Sequence, residues 1–155
     1  MKLLIFLSLI AVSQVTHINY RTLTYEDFKG HGVLAALTTT EISLIDNGSG
    51  GRHRFYVECY FIPSESYINV KTPAILSHEN LHFQVSHNFA HKLKEVIQRF
   101  QDCDSLTAIA IHSYYDQQMI AWQKEQQEYD SCTRHGIDTT AQRTWQLRIQ
   151  NELKQ

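Results

Sequence analysis

The sequence has few cysteines, and they are not spaced for a structural zinc site. It contains Cys59, Cys103 and Cys132 and no Cys-x-x-Cys pair, which excludes the usual zinc-finger and zinc-ribbon ligand sets. Three cysteines can form at most one disulfide within the chain. A straight helix is predicted between Cys103 and Cys132, and because it would span about 35 Å, these two are too far apart to bond.

Charge of one sign and long apolar runs are also scarce. The chain has 14 basic and 16 acidic side chains, a net charge of -2. Nothing therefore indicates binding to nucleic acid or to an anionic membrane surface. The run from Leu3 to Val12 has no second counterpart. We therefore expect no stable membrane anchor once this run has been removed.

The N-terminus has the pattern of an export signal. Lys2 precedes the apolar run, and Ala11, Val12 and Ser13 provide the small residues that a signal peptidase needs. Residues 1–13 are therefore predicted to be a signal peptide, and the protein to be periplasmic or extracellular.

Hydrophobic residues make up 43% of the 155 residues, which is enough for a folded core. We expect residues 20–155 to form a single domain.

A β-hairpin is predicted in the first half of the chain. Val33–Asp46 fits a strand, and Asn47–Gly51 is a strong turn signal. The second strand, Arg52–Ile62, alternates in polarity and ends at Pro63. The side chains predicted to share its inner face are those of Phe55, Val57, Cys59 and Phe61.

Three helices are predicted after the hairpin, which makes the fold class α+β. The first follows Pro73, and its apolar residues recur every three or four positions over about seven turns. The second runs from a cap at Asp104 or Ser105 to about Glu128, and a loop spans Cys132–Asp138. This second helix is predicted to run through Leu106, Ile109, Ser113 and Ile120. The third helix carries Trp145, Ile149 and Leu153.

The segment His78-Glu79-Asn80-Leu81-His82 has the pattern of a catalytic zinc site. Two histidines four residues apart lie on one face of a helix, about one turn apart. Zinc binds neutral imidazole and leaves a position open for water. Glu79 is then the predicted general base, which takes a proton from water as the water attacks a carbonyl. The alternative is a pair of histidines on an ordinary amphipathic helix.

The first helix does not provide an obvious third ligand. The extended motif of one protease subclass requires Gly at position 85 and His at position 88, where this chain has Val85 and Asn88. His87 and His91 lie well around the helix from His78 at 100° per residue. We therefore expect both to be surface histidines.

Two kinds of third ligand remain open from the residues alone. His135 precedes Gly136 in the predicted loop, where a side chain can turn towards a metal. A carboxylate from the second helix is the alternative, with Glu125 and Glu128 as candidates. Asp130 is expected to orient an imidazole, and it is also a candidate for the carboxylate ligand.

Four motifs, in order, resemble a bacterial family first catalogued as a domain of unknown function, whose members are described as predicted secreted zinc-dependent proteases. The central one resembles His-Glu-Gln-Gly-His-Phe followed by Ala-Arg-Lys-Leu, with Asn80 and Leu81 in place of Gln-Gly. The resemblance implies a zincin-like peptidase with His78 and His82 as ligands and Glu79 as base. It also favours His135 as the third ligand. The segments that carry it are Leu23–Gly30, Ser66–Ile68, Ser77–Phe83 with Ala90–Leu93, and Tyr129–Gly136 with Gln142 and Trp145.

The sequence thus predicts an exported zinc peptidase with one zinc ion per chain and a peptide or protein substrate. The substrate is expected along an exposed sheet edge, for which Phe55–Phe61 is the candidate. A non-catalytic zinc-binding module of the cell envelope, with four protein ligands, is the alternative. A third hypothesis is that the chain is an interaction protein of the cell envelope whose motif is vestigial.

Overall fold

The computed structural model of the protein describes residues 19–49, 52–102 and 107–152. The predicted signal peptide lies outside these residues, as do Cys103, Leu106, Leu153 and the predicted caps Asp104 and Ser105. No helix among the described residues is long and apolar enough to cross a membrane.

The predicted hairpin is confirmed. Strand β2, Thr40–Asp46, pairs with strand β3, Phe55–Phe61, in an antiparallel register from Thr40 opposite Phe61 to Asp46 opposite Phe55. The alternation is also as predicted, because Phe55, Val57 and Phe61 are buried. The hairpin therefore presents one apolar face to the rest of the protein.

The first strand is shorter than predicted, because the chain changes sheet at Thr39. Strand β1, Ala36–Leu37, pairs with strand β4, Tyr67–Ile68, in a separate two-stranded antiparallel sheet. Thr39 donates its N–H to Ser66 Oγ, and its carbonyl accepts from the N–H of Ile62. These bonds to the β3–β4 connection separate β1 from β2.

Helix α1, Pro73–Asp102, is the long helix that the sequence predicts. Proline suits the first position of a helix, where its missing N–H has no partner to lose. The C-terminal half of α1 packs on the hairpin, and its N-terminal half packs on the other two helices. The hairpin cluster includes Ile42, Phe55, Val57, Leu93 and Ile97, and the helical cluster consists of Leu81, Val85, Tyr129, Trp145 and Ile149.

Helix α2, Ala108–Thr133, is the second predicted helix and buries a face rich in aromatic residues. Ile109 and Ile120 lie in this helix as predicted, but they are 82% and 70% exposed and do not form its buried face. Ile111, Tyr115 and Trp122 pack on the hairpin cluster instead. The two aromatic side chains are half-buried, and their polar atoms find partners, Ile42 O at 2.6 Å and Ser86 Oγ at 3.1 Å.

The end of α2 lies about one turn beyond the predicted position. The helix includes Cys132 and Thr133, which were predicted to lie in a loop, and ends at Arg134 in the left-handed conformation. Gly136 follows in the same region of backbone space. The remaining helix, α3, spans Thr139–Glu152, and Asp138 Oδ1 accepts two of its first N–H groups. The architecture is therefore α+β, as predicted.

Candidate metal centre

The two histidines of the motif converge on one point beside α1. Their Nε2 atoms are 3.2 Å apart, and their ring centroids are 4.8 Å apart. His78 is 4% exposed, and the side chain of His82 is 14% exposed. Because the residues lie four apart on a regular helix, both rings lie on one face of α1. That face contacts α2.

Asp130 completes the group from α2. Its Oδ1 atom lies 3.0 Å from Nε2 of His78 and 3.0 Å from Nε2 of His82. The donors of a tetrahedral zinc site lie about 3.3 Å apart when the bonds are about 2.0–2.1 Å. These three side chains are thus close enough together to hold a metal ion.

The other nitrogen of each ring is bonded to a glutamine. Nδ1 of His82 is 2.6 Å from Gln126 Oε1, and Nδ1 of His78 is 3.1 Å from Gln142 Oε1. An amide oxygen only accepts, so the hydrogen of each neutral ring is on Nδ1. The lone pair of each ring is therefore on Nε2, towards Asp130, as a metal site requires.

Gln126 is itself held in place by Ser86, which is fully buried. The Oγ atom of Ser86 accepts from Nε2 of Gln126 at 2.8 Å and from Nε1 of Trp122 at 3.1 Å. It also lies 2.7 Å from Oγ1 of Thr40 on β2. This network links the orientation of His82 to both α2 and the hairpin.

The side of His78 is supported by Tyr129. The two rings stack with centroids 4.6 Å apart, and the tyrosine hydroxyl lies 2.8 Å from Gln142 Oε1. Burial, opposed in part by this bond, raises the pKa of Tyr129 above its usual range. The hydroxyl therefore stays protonated and serves as a donor.

Charge in the group favours a His82–Asp130 ion pair when no metal is bound. Burial lowers the pKa of His82, but Asp130 and Glu79 outweigh that effect, so the pKa is raised. Burial also acts to raise the pKa of Asp130, but His78 and His82 hold it well below its usual range. A bound cation would have to replace the proton of this pair.

Glu79 is buried beside the group without a full set of partners. It is 5% exposed, and its Oε2 atom has no hydrogen-bond partner. A buried carboxylate oxygen without a partner is costly, typically by 1–3 kcal/mol or more. Glu79 lines the same cavity of about 920 Å³ as His78, His82 and Asp130. A buried carboxylate oxygen without a partner, next to three converging ligand atoms, fits a site built to hold a cation and a water molecule.

His135 lies next to this group but not within it. Its Nδ1 atom is 3.5 Å from Asp130 Oδ1, and its side chain is 78% exposed at the cavity. The backbone of His135 is left-handed, with φ of 54°. Such a conformation is unfavourable for a residue with a Cβ. The N–H of His135 donates to the carbonyl of Asp130 at 2.9 Å, which holds His135 beside Asp130.

The other predicted carboxylates lie away from the two histidines. Glu125 pairs with Arg148 on α3, and Glu128 is exposed. Neither belongs to the group of side chains whose ligand atoms converge. Of the carboxylates that the sequence suggests on α2, only Asp130 contacts His78 and His82.

The match with known families covers this part of the chain. Residues 68–136 match the family model DUF922, described as a bacterial protein of unknown function. The chain is similar to this family over α1 and α2. The match includes His78, His82 and Asp130, ends at Gly136, and spans less than half of the chain. Neither a curated protein nor a solved structure matches the chain.

The departure of Asn80 and Leu81 from the resembled motif is accommodated by the fold. Leu81 is 3% exposed and belongs to the helical cluster. Asn80 accepts from the N–H of Leu23 at 2.6 Å and donates to its carbonyl at 3.1 Å. Position 80 therefore fastens the segment before β1 to the motif helix.

The two histidines predicted to lie on the surface differ from one another. His91 is exposed and lies 3.8 Å from Glu95. His87 is half-buried rather than exposed, because its ring stacks on Tyr20 at 3.9 Å. Neither contributes to the group at His78.

Sequence reasoning missed Gln126 and Ser86, which orient His82. A signal was present on α2, because Trp122, Gln126 and Asp130 recur every four residues and so share one face. On α1, Ser86 follows His82 by four residues. Polar residues at that spacing beside a buried histidine indicate an outer shell of hydrogen bonds.

Proposed function

We propose that the protein is an exported zinc-dependent peptidase in which His78 and His82 bind the metal and Glu79 is the general base. The observation that carries the proposal is the convergence of three ligand atoms beside a buried carboxylate whose Oε2 has no partner. Imidazole nitrogen and carboxylate oxygen are ligands that zinc accepts in catalytic sites with three protein ligands.

Asp130 is the third ligand in this proposal. Its Oδ1 atom lies 3.0 Å from the Nε2 atoms of both histidines, which supports its role. His135, which the resemblance favours as the third ligand, would have to approach past Asp130. Two histidines, one carboxylate and an open cavity leave room for water and substrate.

The chemistry follows from the position of Glu79. A bound zinc ion would polarise the substrate carbonyl and lower the pKa of water to about 7. Glu79 would accept a proton from the attacking water as its oxygen bonds to the carbonyl carbon. The same carboxyl group would then donate that proton to the amine as the C–N bond breaks.

Replacement of Glu79 by glutamine tests the assignment. Zinc content, measured by mass spectrometry, should remain one ion per chain, because Glu79 is not a ligand. Peptide hydrolysis should fall about 10²–10⁴-fold. Glu128→Gln on the exposed side of α2 is the matched control and should retain activity. Full activity in Glu79→Gln would show that another group is the base.

A non-catalytic zinc module is the second candidate, and the position of His135 is the observation that favours it. If His135 joined His78, His82 and Asp130, four protein ligands would close the site. The absorption spectrum of the protein with cobalt in place of zinc distinguishes the open catalytic site from the closed structural site. An added ligand such as azide should change the spectrum of an open site and leave that of a closed site unchanged.

A further inference from the structure

The carboxylates that line the cavity at the metal centre all belong to that centre. Its volume is about 920 Å³, near the upper end of the roughly 300–1,000 Å³ typical of ligand pockets. Glu79 and Asp130 are the only acidic residues among the described residues that line it, and none of those residues is lysine or arginine. The proposed function uses both carboxylates.

This distribution of charge does not suit a substrate with a charged terminus in the site. A free carboxylate buried in a cavity needs a cation beside it, and a free amino group needs a spare carboxylate. Apart from the metal centre and His135, no described lining residue carries a positive charge, and both carboxylates belong to the metal centre. The same argument applies to charged side chains near the cleaved bond.

Apolar side chains are exposed where the cavity opens. Leu34 and Leu37 are 59% and 41% exposed, and Ile137 is 73% exposed. All three line the cavity. Exposed apolar side chains gathered around a cleft indicate a surface that binds apolar groups. Thr38 and Gln127 add polar but uncharged groups to the same lining.

A substrate backbone has a strand edge available in the same place. β1 pairs with β4 on one side only, among the described residues, and residues 34–40 line the cavity. An extended peptide can add to such an edge through main-chain hydrogen bonds. By contrast, no residue of the predicted candidate edge, Phe55–Phe61, lines this cavity.

We infer that the substrate is an internal stretch of extended peptide whose side chains near the cleaved bond are uncharged and mainly apolar. This inference rests on the proposed function and specifies its substrate class. The enzyme is then an endopeptidase, and its preference comes from Leu34, Leu37 and Ile137.

Synthetic peptides test this directly. One set is acetylated and amidated, with a core of alanine, leucine, valine and phenylalanine. Matched peptides carry lysine or glutamate in the core, or have free termini beside it. Cleavage by the zinc-loaded full chain is followed by mass spectrometry. The capped apolar peptides should have a kcat/KM about tenfold higher or more, and equal or faster cleavage of the charged peptides would overturn the inference.

A positive charge placed at the cavity mouth should shift the substrate preference towards acidic peptides. Ile137→Lys should raise cleavage of peptides with a glutamate in the core relative to apolar ones. Ile120→Lys is the matched control, because Ile120 is equally exposed on α2 and does not line the cavity. A preference that is unchanged in Ile137→Lys, in a variant that folds and binds zinc normally, would contradict the inference.

Binding to zinc-loaded Glu79→Gln separates this inference from the proposed function. One outcome is that calorimetry shows capped apolar peptides binding more tightly than charged ones while the wild type hydrolyses none of them. In that case the peptidase proposal fails and the inferred preference for apolar peptides stands. If the wild type hydrolyses peptides without this preference, the peptidase proposal stands and the inference fails. If none binds and none is cleaved, both fail.

Discussion

Gly136 lies directly against the ring of His78. A Cβ atom at position 136 would be 3.0 Å from both Cβ and Cγ of His78 and 3.2 Å from Nδ1. Contacts as short as these require one of the two residues to move. The glycine also has φ of 81°, a region that disfavours side chains. The turn after α2 thereby fixes one ligand of the candidate metal centre.

We therefore expect Gly136→Ala to weaken zinc binding as well as the fold. The left-handed backbone alone should reduce the free energy of unfolding by about 1–2 kcal/mol. Displacement of His78 should further lower zinc affinity, measured by competition with a chelating dye. Gly30→Ala is the control, because its added Cβ would meet backbone atoms of Ser64 and Ser66, away from the metal centre. Normal zinc affinity in Gly136→Ala would contradict this role.

The glutamines behind the histidines should control zinc affinity without binding the ion. Gln126→Leu and Gln142→Leu remove the acceptors of the two Nδ1–H groups. Each should lower zinc affinity about 10–100-fold, as is typical of outer-shell partners. Gln117→Leu on α2 and Gln150→Leu on α3 are exposed matched controls. Affinity equal to that of the wild type in both site variants would show that the ring orientation is set by other contacts.

The fold was predictable where apolar residues repeat clearly. The alternation from Phe55 to Phe61 and the spacing along α1 both indicate their elements. The buried face of α2 was harder to predict, because Ile109 and Ile120 are more apolar than Tyr115 and yet are exposed. Ile111, Tyr115 and Trp122 share one face at helical spacing. That face is the buried one because the polar atoms of the two aromatic residues find partners on β2 and α1.

The metal centre was predictable in part for the same reason. Two ligand positions and the nearby glutamate follow from the spacing of His78, Glu79 and His82 on one helix. The contact with Asp130 depends on where α2 ends and how it lies against α1. That helix ends at Arg134 in a left-handed conformation rather than at a glycine, so its last turn was hidden from the sequence.

Substitutions at Asp130 and His135 should identify the third ligand. Asp130→Asn should lower zinc affinity by more than the 10–100-fold expected of an outer-shell group, because it removes a ligand. His135→Ala should have the smaller effect. Asp116→Asn and His91→Ala are exposed controls. A larger loss in His135→Ala would establish His135, the residue predicted from the sequence, as the ligand.

Zinc binding should strengthen as pH rises, because the metal displaces a proton from the His82–Asp130 pair. The raised pKa of His82 means that this proton is held to higher pH than in a free histidine. Below that pKa, affinity should fall by up to about tenfold per pH unit for one displaced proton. Calorimetry in buffers of different ionisation enthalpy measures the released proton.

In the metal-free protein, the contribution of His82 to the free energy of unfolding should decrease as pH rises. A histidine whose pKa is raised in the folded state stabilises the fold fully at a pH below its unfolded pKa of about 6.5. This stabilisation is lost as pH rises through the pKa of the folded state. Unfolding by urea with a chelator present should therefore show this contribution decreasing with pH, while zinc-bound protein becomes more stable. In Asp130→Asn the carboxylate that raises the pKa is absent, so proton release should move to lower pH. Proton release at the wild-type pH in that variant would show that Asp130 does not hold the proton on His82.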